Sequence, residues 1–77
     1  MKTNVSVKFN SIEEYIAIEK KLEDMGYVND KEWNESMFEI NGANSGHVYI
    51  SHVDFSVFSN KITGGKLYNN LEEFLND

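Results

Sequence analysis

The sequence predicts an α+β fold: an antiparallel sheet of three to five strands, one main helix across a face, and a short C-terminal helix. Three observations carry this expectation. Apolar residues alternate at period two near the start, and the period then lengthens to three and four residues. The second half returns to β-branched and aromatic runs punctuated by glycine and asparagine.

Val5, Val7 and Phe9 alternate with Ser6 and Lys8, the pattern of a half-buried strand. Ser11 stands three residues before Glu14, a capping-box spacing in which a hydroxyl and a carboxylate satisfy the free N–H groups of a helix start. From there Ile12, Tyr15, Ile18, Leu22 and Met25 fall on one helical face. Glu13, Glu14, Glu19, Lys20, Glu23 and Asp24 fill the remainder, with acids early, where the helix dipole favours them. Gly26 follows as a residue able to adopt the left-handed conformation that ends a helix.

Residues 28–34 are polar around Trp33 and read as loop or strand entry, and Met37, Phe38 and Ile40 mark a short strand over 35–40. The turn-rich segment 41–46 connects it to the next strand. Residues 47–51 and 55–59 are either two strands joined near His52, Val53 and Asp54 or one long bent strand. Gly64 and Gly65 predict a hairpin between Ile62-Thr63 and Lys66-Leu67. Asn69 or Asn70 caps a final helix carrying Leu71, Phe74 and Leu75, with Glu72 and Glu73 in its first turn. The predicted order is β-α-β-β-β-α, with one further strand if the 47–59 segment divides.

The 77 residues form one domain, 1–77, without repeats or an internal linker. With no cysteine, neither disulfides nor thiolate metal sites supplement the core, which must come from apolar packing. The 40% hydrophobic content, with five Phe, four Tyr and Trp33, supplies it. No apolar run reaches the roughly 18 residues of a membrane span, and the first residues lack a secretory signal pattern. The expected location is the cytoplasm.

Thirteen acidic residues against seven lysines and no arginine give a net charge of −6. Phosphate recognition relies on Lys and Arg patches, so direct nucleic-acid binding is disfavoured and a partner with a basic surface is favoured. Acidity also serves solubility alone.

Signals for catalysis are sparse. His47, His52 and Asp54 make a sparse site: positions 47 and 52 of a continuous strand point to opposite faces, and although a turn near Val53 could bring the groups together, a catalytic zinc needs three well-set ligands and a second shell. No serine lies in a nucleophile elbow, and Gly64-Gly65-Lys66 lacks phosphate-loop spacing. The expectation is a binding protein with no enzyme activity, cofactor or metal. Glu13, Glu19 and Glu23 on the solvent side of the first helix, continued by Asp24, Asp30, Glu32 and Glu35, would form one negative face if the following segment folds back beside that helix. Trp33 is the accompanying aromatic anchor, since Trp buries a large area at low entropy cost. A second reading is a small-ligand-binding or sequestering protein, and a homodimer is compatible with either.

The stretch Phe9-Asn10-Ser11-Ile12-Glu13-Glu14-Tyr15, then Lys20-Lys21-Leu22, Met25-Gly26-Tyr27 and Trp33, resembles a pattern in small accessory proteins of bacteriophages. The ending Leu71-Glu72-Glu73-Phe74-Leu75 is similar to their tails. The resemblance covers about half the chain and contains no site signature, so it carries over no functional residue. It implies an inhibitor that binds a host enzyme or a defence complex, CRISPR nucleases included, and so a location in the host cytoplasm.

Overall fold

The first strand and helix form where the change of period places them, as β1 (Val5–Phe9) and α1 (Ile12–Asp24) in a computed structural model that describes residues 2–41, 44–62 and 64–77. Ser11 Oγ accepts the Glu14 N–H at 3.1 Å, and the Glu14 carboxylate accepts from the Asn10 N–H at 2.9 Å. Two bonds close the other end: Gly26 N–H to Glu23 O and Tyr27 N–H to Leu22 O, both 3.0 Å, with Gly26 at φ +96°. That is a Schellman ending, and glycine meets its left-handed requirement without a Cβ penalty. Tyr15, Ile18 and Leu22 are buried as their spacing predicts, whereas Ile12 and Met25 at the ends of the face stay exposed.

The chain continues as β2 (Val28–Asn29), α2 (Lys31–Asn41), β3 (Gly46–Ile50), β4 (Asp54–Phe58), β5 (Lys66–Tyr68) and α3 (Leu71–Asn76). The α+β class holds, and Asn70 caps α3 by accepting the Glu73 N–H at 2.8 Å. The 47–59 segment divides into β3 and β4, whose turn is closed by Ser51 N–H to Asp54 O at 3.0 Å.

Three expectations need correction. First, the five strands, in order β2-β4-β3-β1-β5, make a mixed sheet rather than a purely antiparallel one. β3 runs antiparallel to both β1 and β4, while β5 is parallel to β1 and β2 is parallel to β4. The α1 crossover carries the chain from β1 to the far edge, where it re-enters the sheet in the same direction.

Second, the strand expected over 35–40 is the second half of the helix α2. Asn34 is buried and Met37 and Phe38 are partly buried against the core, a spacing of three and four residues. Reading Asn34 as a solvent-facing polar residue hides that stripe. Of the connection predicted over 41–46, Gly42 and Ala43 lie outside the described residues.

Third, Gly64 and Gly65 do not close a hairpin. Ile62 is not in a strand, and β5 pairs in parallel with β1 on the opposite side of the sheet from β4; Thr63 lies outside the described residues. Both glycines have positive φ, +86° and +75°, and they aim the chain past Asn4 into β5. A Cβ on Gly65 would lie 2.0 Å from the Asn4 carbonyl oxygen, while one on Gly64 would meet nothing within 4 Å. Gly65→Ala is therefore expected to cost at least about 2 kcal/mol, against about 1 kcal/mol of backbone strain for Gly64→Ala. Urea midpoints of the two variants check this, and equal losses would contradict the close approach of Gly65 to Asn4.

Alternation assigns the sheet faces. Val5, Val7, Phe9, Val48, Ile50, Phe55, Val57 and Tyr68 are buried and join Tyr15, Ile18, Leu22, Tyr27 and Phe74 in one core cluster. Each helix sends a ring to that face: Tyr15 and Phe38 pack against Phe9 at 5.4 and 6.1 Å, and Phe74 meets Tyr68 at 5.5 Å. The opposite face carries Lys8, His47, Tyr49, Ser56, Phe58 and Leu67, all half-buried.

Candidate functional site

The segment after α1 does fold back beside that helix, and the space between them is a cleft of about 300 Å³. Tyr15, Glu19 and Glu23 line it from α1, Asn29 from β2, and Lys31, Asn34, Glu35 and Phe38 from α2. Its three carboxylates and one ammonium leave a net −2 over a wall of Tyr15 and Phe38, whose ring centroids stand 4.6 Å apart.

A chain of hydrogen bonds fixes the centre of the cleft. Val57 N–H donates to Asn34 Oδ1 at 2.8 Å, and Asn34 Nδ2 donates to Asn29 Oδ1 at 2.8 Å. Asn29 Nδ2 then donates to Glu19 Oε2 at 2.9 Å, and the Tyr15 hydroxyl donates to the same oxygen at 2.9 Å. Burial first, and then the Glu19 carboxylate, push the Tyr15 phenol well above its ordinary range, so it stays a donor. Two neutral donors thus hold Glu19 in one orientation without cancelling its charge.

The structure distributes the acidic residues and Trp33 singled out from the sequence, and Glu13, in the first turn of α1, lies outside the cleft. Glu19, Glu23 and Glu35 share the cleft. Asp24 ends α1, and Glu32 lies in the first turn of α2; both are exposed and neither lines the cleft. Asp30, exposed between β2 and α2, accepts the Ser56 hydroxyl at 3.4 Å. Trp33 leaves the acidic group altogether. Its ring packs on Phe58 at 5.6 Å, and its Nε1–H donates to Val57 O at 2.9 Å.

Sequence reasoning missed Asn29 and Asn34 as the scaffold of the site, along with Tyr15, Lys31 and Phe38 as lining. The helical spacing of Asn34 and Phe38 was the available signal. No local pattern shows that an asparagine will be buried against a strand edge.

Comparison with family models, with curated proteins and with solved structures returned no match. The chemistry of the cleft therefore rests on its own geometry. Among the described residues, no group of three or more His, Asp or Glu side chains could hold a metal ion, and no helix is long and apolar enough to cross a membrane. His47 lies on β3, with His52 in the turn that follows. Burial, more than any nearby charge, lowers the affinity of the His47 imidazole for a proton, and a backbone group of Ser59 opposes this in part. Lys66 bonds Asp77 at 2.8 Å, both groups lying at the surface, an arrangement that links β5 to the end of α3.

Proposed function

We propose that this chain is a small protein-binding module of the phage-inhibitor type, which seats a basic segment of a host protein in the acidic cleft between α1 and α2. A nucleic-acid-processing enzyme or a defence complex suits the role, because its functional groove is built from Lys and Arg. The observation that carries the reading is Glu19, oriented by Tyr15 and Asn29 before any partner arrives, with Glu23 and Glu35 at the same cleft. A pre-oriented carboxylate loses little conformational freedom on binding, so more of its attraction for a cation appears as affinity. The aliphatic stem of a Lys or Arg has Tyr15 and Phe38 to pack against. Binding is preferred to catalysis because the cleft offers carboxylates, amides and a phenol held protonated, with no activated nucleophile beside them. A small metabolite is less favoured as occupant, since about 300 Å³ is the lower limit of ligand pockets.

The test is a tagged pull-down from bacterial lysate at low and high salt, followed by affinity measurement on the captured protein. A stoichiometric partner released by salt is expected. The variant Glu19→Lys/Glu23→Lys/Glu35→Lys should bind it about 100-fold more weakly. Glu13→Lys, on α1 but outside the cleft, should bind as the parent does. Full binding by the triple variant would exclude the cleft.

A further inference from the structure

The face opposite the three helices carries a different surface, one that the acidic cleft does not use. Trp33, Phe58 and Tyr49 form a continuous aromatic row along it, with centroids 5.6 Å apart for the first pair and 6.4 Å for the second. Hydrogen bonds hold both ends of the row: Trp33 Nε1–H to Val57 O at 2.9 Å and the Tyr49 hydroxyl to Asn4 Oδ1 at 2.8 Å. Trp33 nonetheless remains 42% exposed. Rings fixed in place and still open to water are suited to an interface, because docking on them immobilises few side chains.

Charge on this face is divided. Lys8 stands opposite His47, at the end of the sheet where β4 finishes with Phe58, and Lys61 adds its field at His47. Asp54 begins β4 at the other end, and Asp30 reaches the neighbouring Ser56 hydroxyl. Lys8 and Asp54 both point to this face by alternation, and neither takes part in an ion pair among the described residues. With β-sheet spacings of about 4.8 Å between strands and 3.3 Å per residue, the two lie roughly 16 Å apart across the aromatic row. A surface positive at one end, aromatic in the middle and negative at the other complements its own image about a two-fold axis. The net charge of −6 opposes a polyanion as occupant, and the split charge matches a second copy.

We propose that the helix-free sheet face is a self-association surface, on which two copies of this chain stack their Trp33–Phe58–Tyr49 rows with Lys8 of each meeting Asp54 of the other. Three rings and two exchanged ion pairs suit a weak dimer, expected in about the micromolar range. It leaves the α1–α2 cleft of each copy free, so the assembly presents two acidic sites. The surface is independent of the cleft's function: failure to capture a basic partner leaves it intact, and the reverse is also true.

Sedimentation equilibrium from about 5 to about 500 µM tests the surface, read beside the emission of Trp33, the only tryptophan in the chain. The expected result is a monomer–dimer equilibrium with a blue shift of Trp33 as the dimer forms. Lys8→Glu should weaken the dimer at least about tenfold, as should Asp54→Lys, and the double exchange Lys8→Glu/Asp54→Lys should restore it to within about threefold. Circular dichroism confirms that each variant is folded, and both substitutions are at half-buried strand positions with their own pairing intact. A monomer throughout this range overturns the proposal. So does a dimer that the single variants leave unchanged, or one that the double exchange fails to restore.

Discussion

Phe9→Ala is expected to remove about 3–5 kcal/mol of stability, the range for truncating a fully buried phenylalanine. Phe9 is fully buried at the end of β1, with the Tyr15 ring at 5.4 Å and the Phe38 ring at 6.1 Å. It thus joins the sheet to α1 and α2 at one point. Gly46 leaves room for it on β3, since a Cβ there would lie 3.0 Å from the Phe9 ring and 2.9 Å from the Phe58 carbonyl. Neighbours on three elements, one of them backbone, cannot all close on the void, so the cavity cost adds to the lost transfer energy. A chain of 77 residues holds only roughly 4–12 kcal/mol in total, so this one truncation removes from about a quarter of the stability to all of it. Phe9→Leu, which keeps much of the volume, should lose about 1–2 kcal/mol. Urea unfolding followed by far-ultraviolet circular dichroism measures both. A loss below about 1 kcal/mol for the alanine variant would falsify the three-element packing around this ring.

The second large effect is expected at Asn34, where the cost comes from unpaired polar groups. Its carboxamide does the work of a neighbouring strand beyond the end of β2, accepting from the Val57 N–H at 2.8 Å and lying 3.4 Å from the Phe55 carbonyl as a donor. β2 pairs with β4 only at Asp54 and Phe55, so the rest of that edge needs another partner. Asn34→Ala strands the buried Val57 N–H and deprives Asn29 of its donor, at a combined cost of about 2–4 kcal/mol. Asn34→Asp separates the two roles, because its carboxylate still accepts from Val57 but cannot donate to Asn29 when ionised. Burial, with the Glu19 carboxylate two hydrogen bonds away, would raise the folded-state pKa of that new carboxyl above its unfolded value of about 4. The variant's deficit relative to the parent should then be small below that value and grow as pH rises through the folded-state pKa. Unfolding midpoints across pH decide the matter. A deficit independent of pH would mean that the position is solvated.

The same substitutions should disturb the acidic cleft. Asn29 orients Glu19 and is itself held by Asn34, so the loss at the strand edge passes to the carboxylate two hydrogen bonds away. Stability and the shape of the candidate site are coupled through these side chains.

What the sequence determined by itself is local. The capping spacing of Ser11 and Glu14, the stripe of Tyr15, Ile18 and Leu22, and the stop at Gly26 each depend on groups within a turn or two of one another. The same holds for the alternation of Val5, Val7 and Phe9 and for the Asn70 cap. Such signals are complete in the linear text because their hydrogen bonds and periods span only a few residues.

Tertiary structure decided the rest. Whether Asn34 faces water or a strand edge depends on β4, more than twenty residues away, and that choice made α2 a helix with its own buried stripe. Gly64 and Gly65 showed that the chain turns, but β1 and the close approach of Asn4 set where it turns to. The acidic residues were visible as a group, and only the packing of α1 against α2 separated Glu19, Glu23 and Glu35 from Asp24, Asp30 and Glu32. Trp33 went to the opposite face because its neighbour Asn34 took the strand edge, and residues adjacent on a helix point about 100° apart. Long-range pairing fixes which side of an element meets its partner, and no short window of sequence contains that partner.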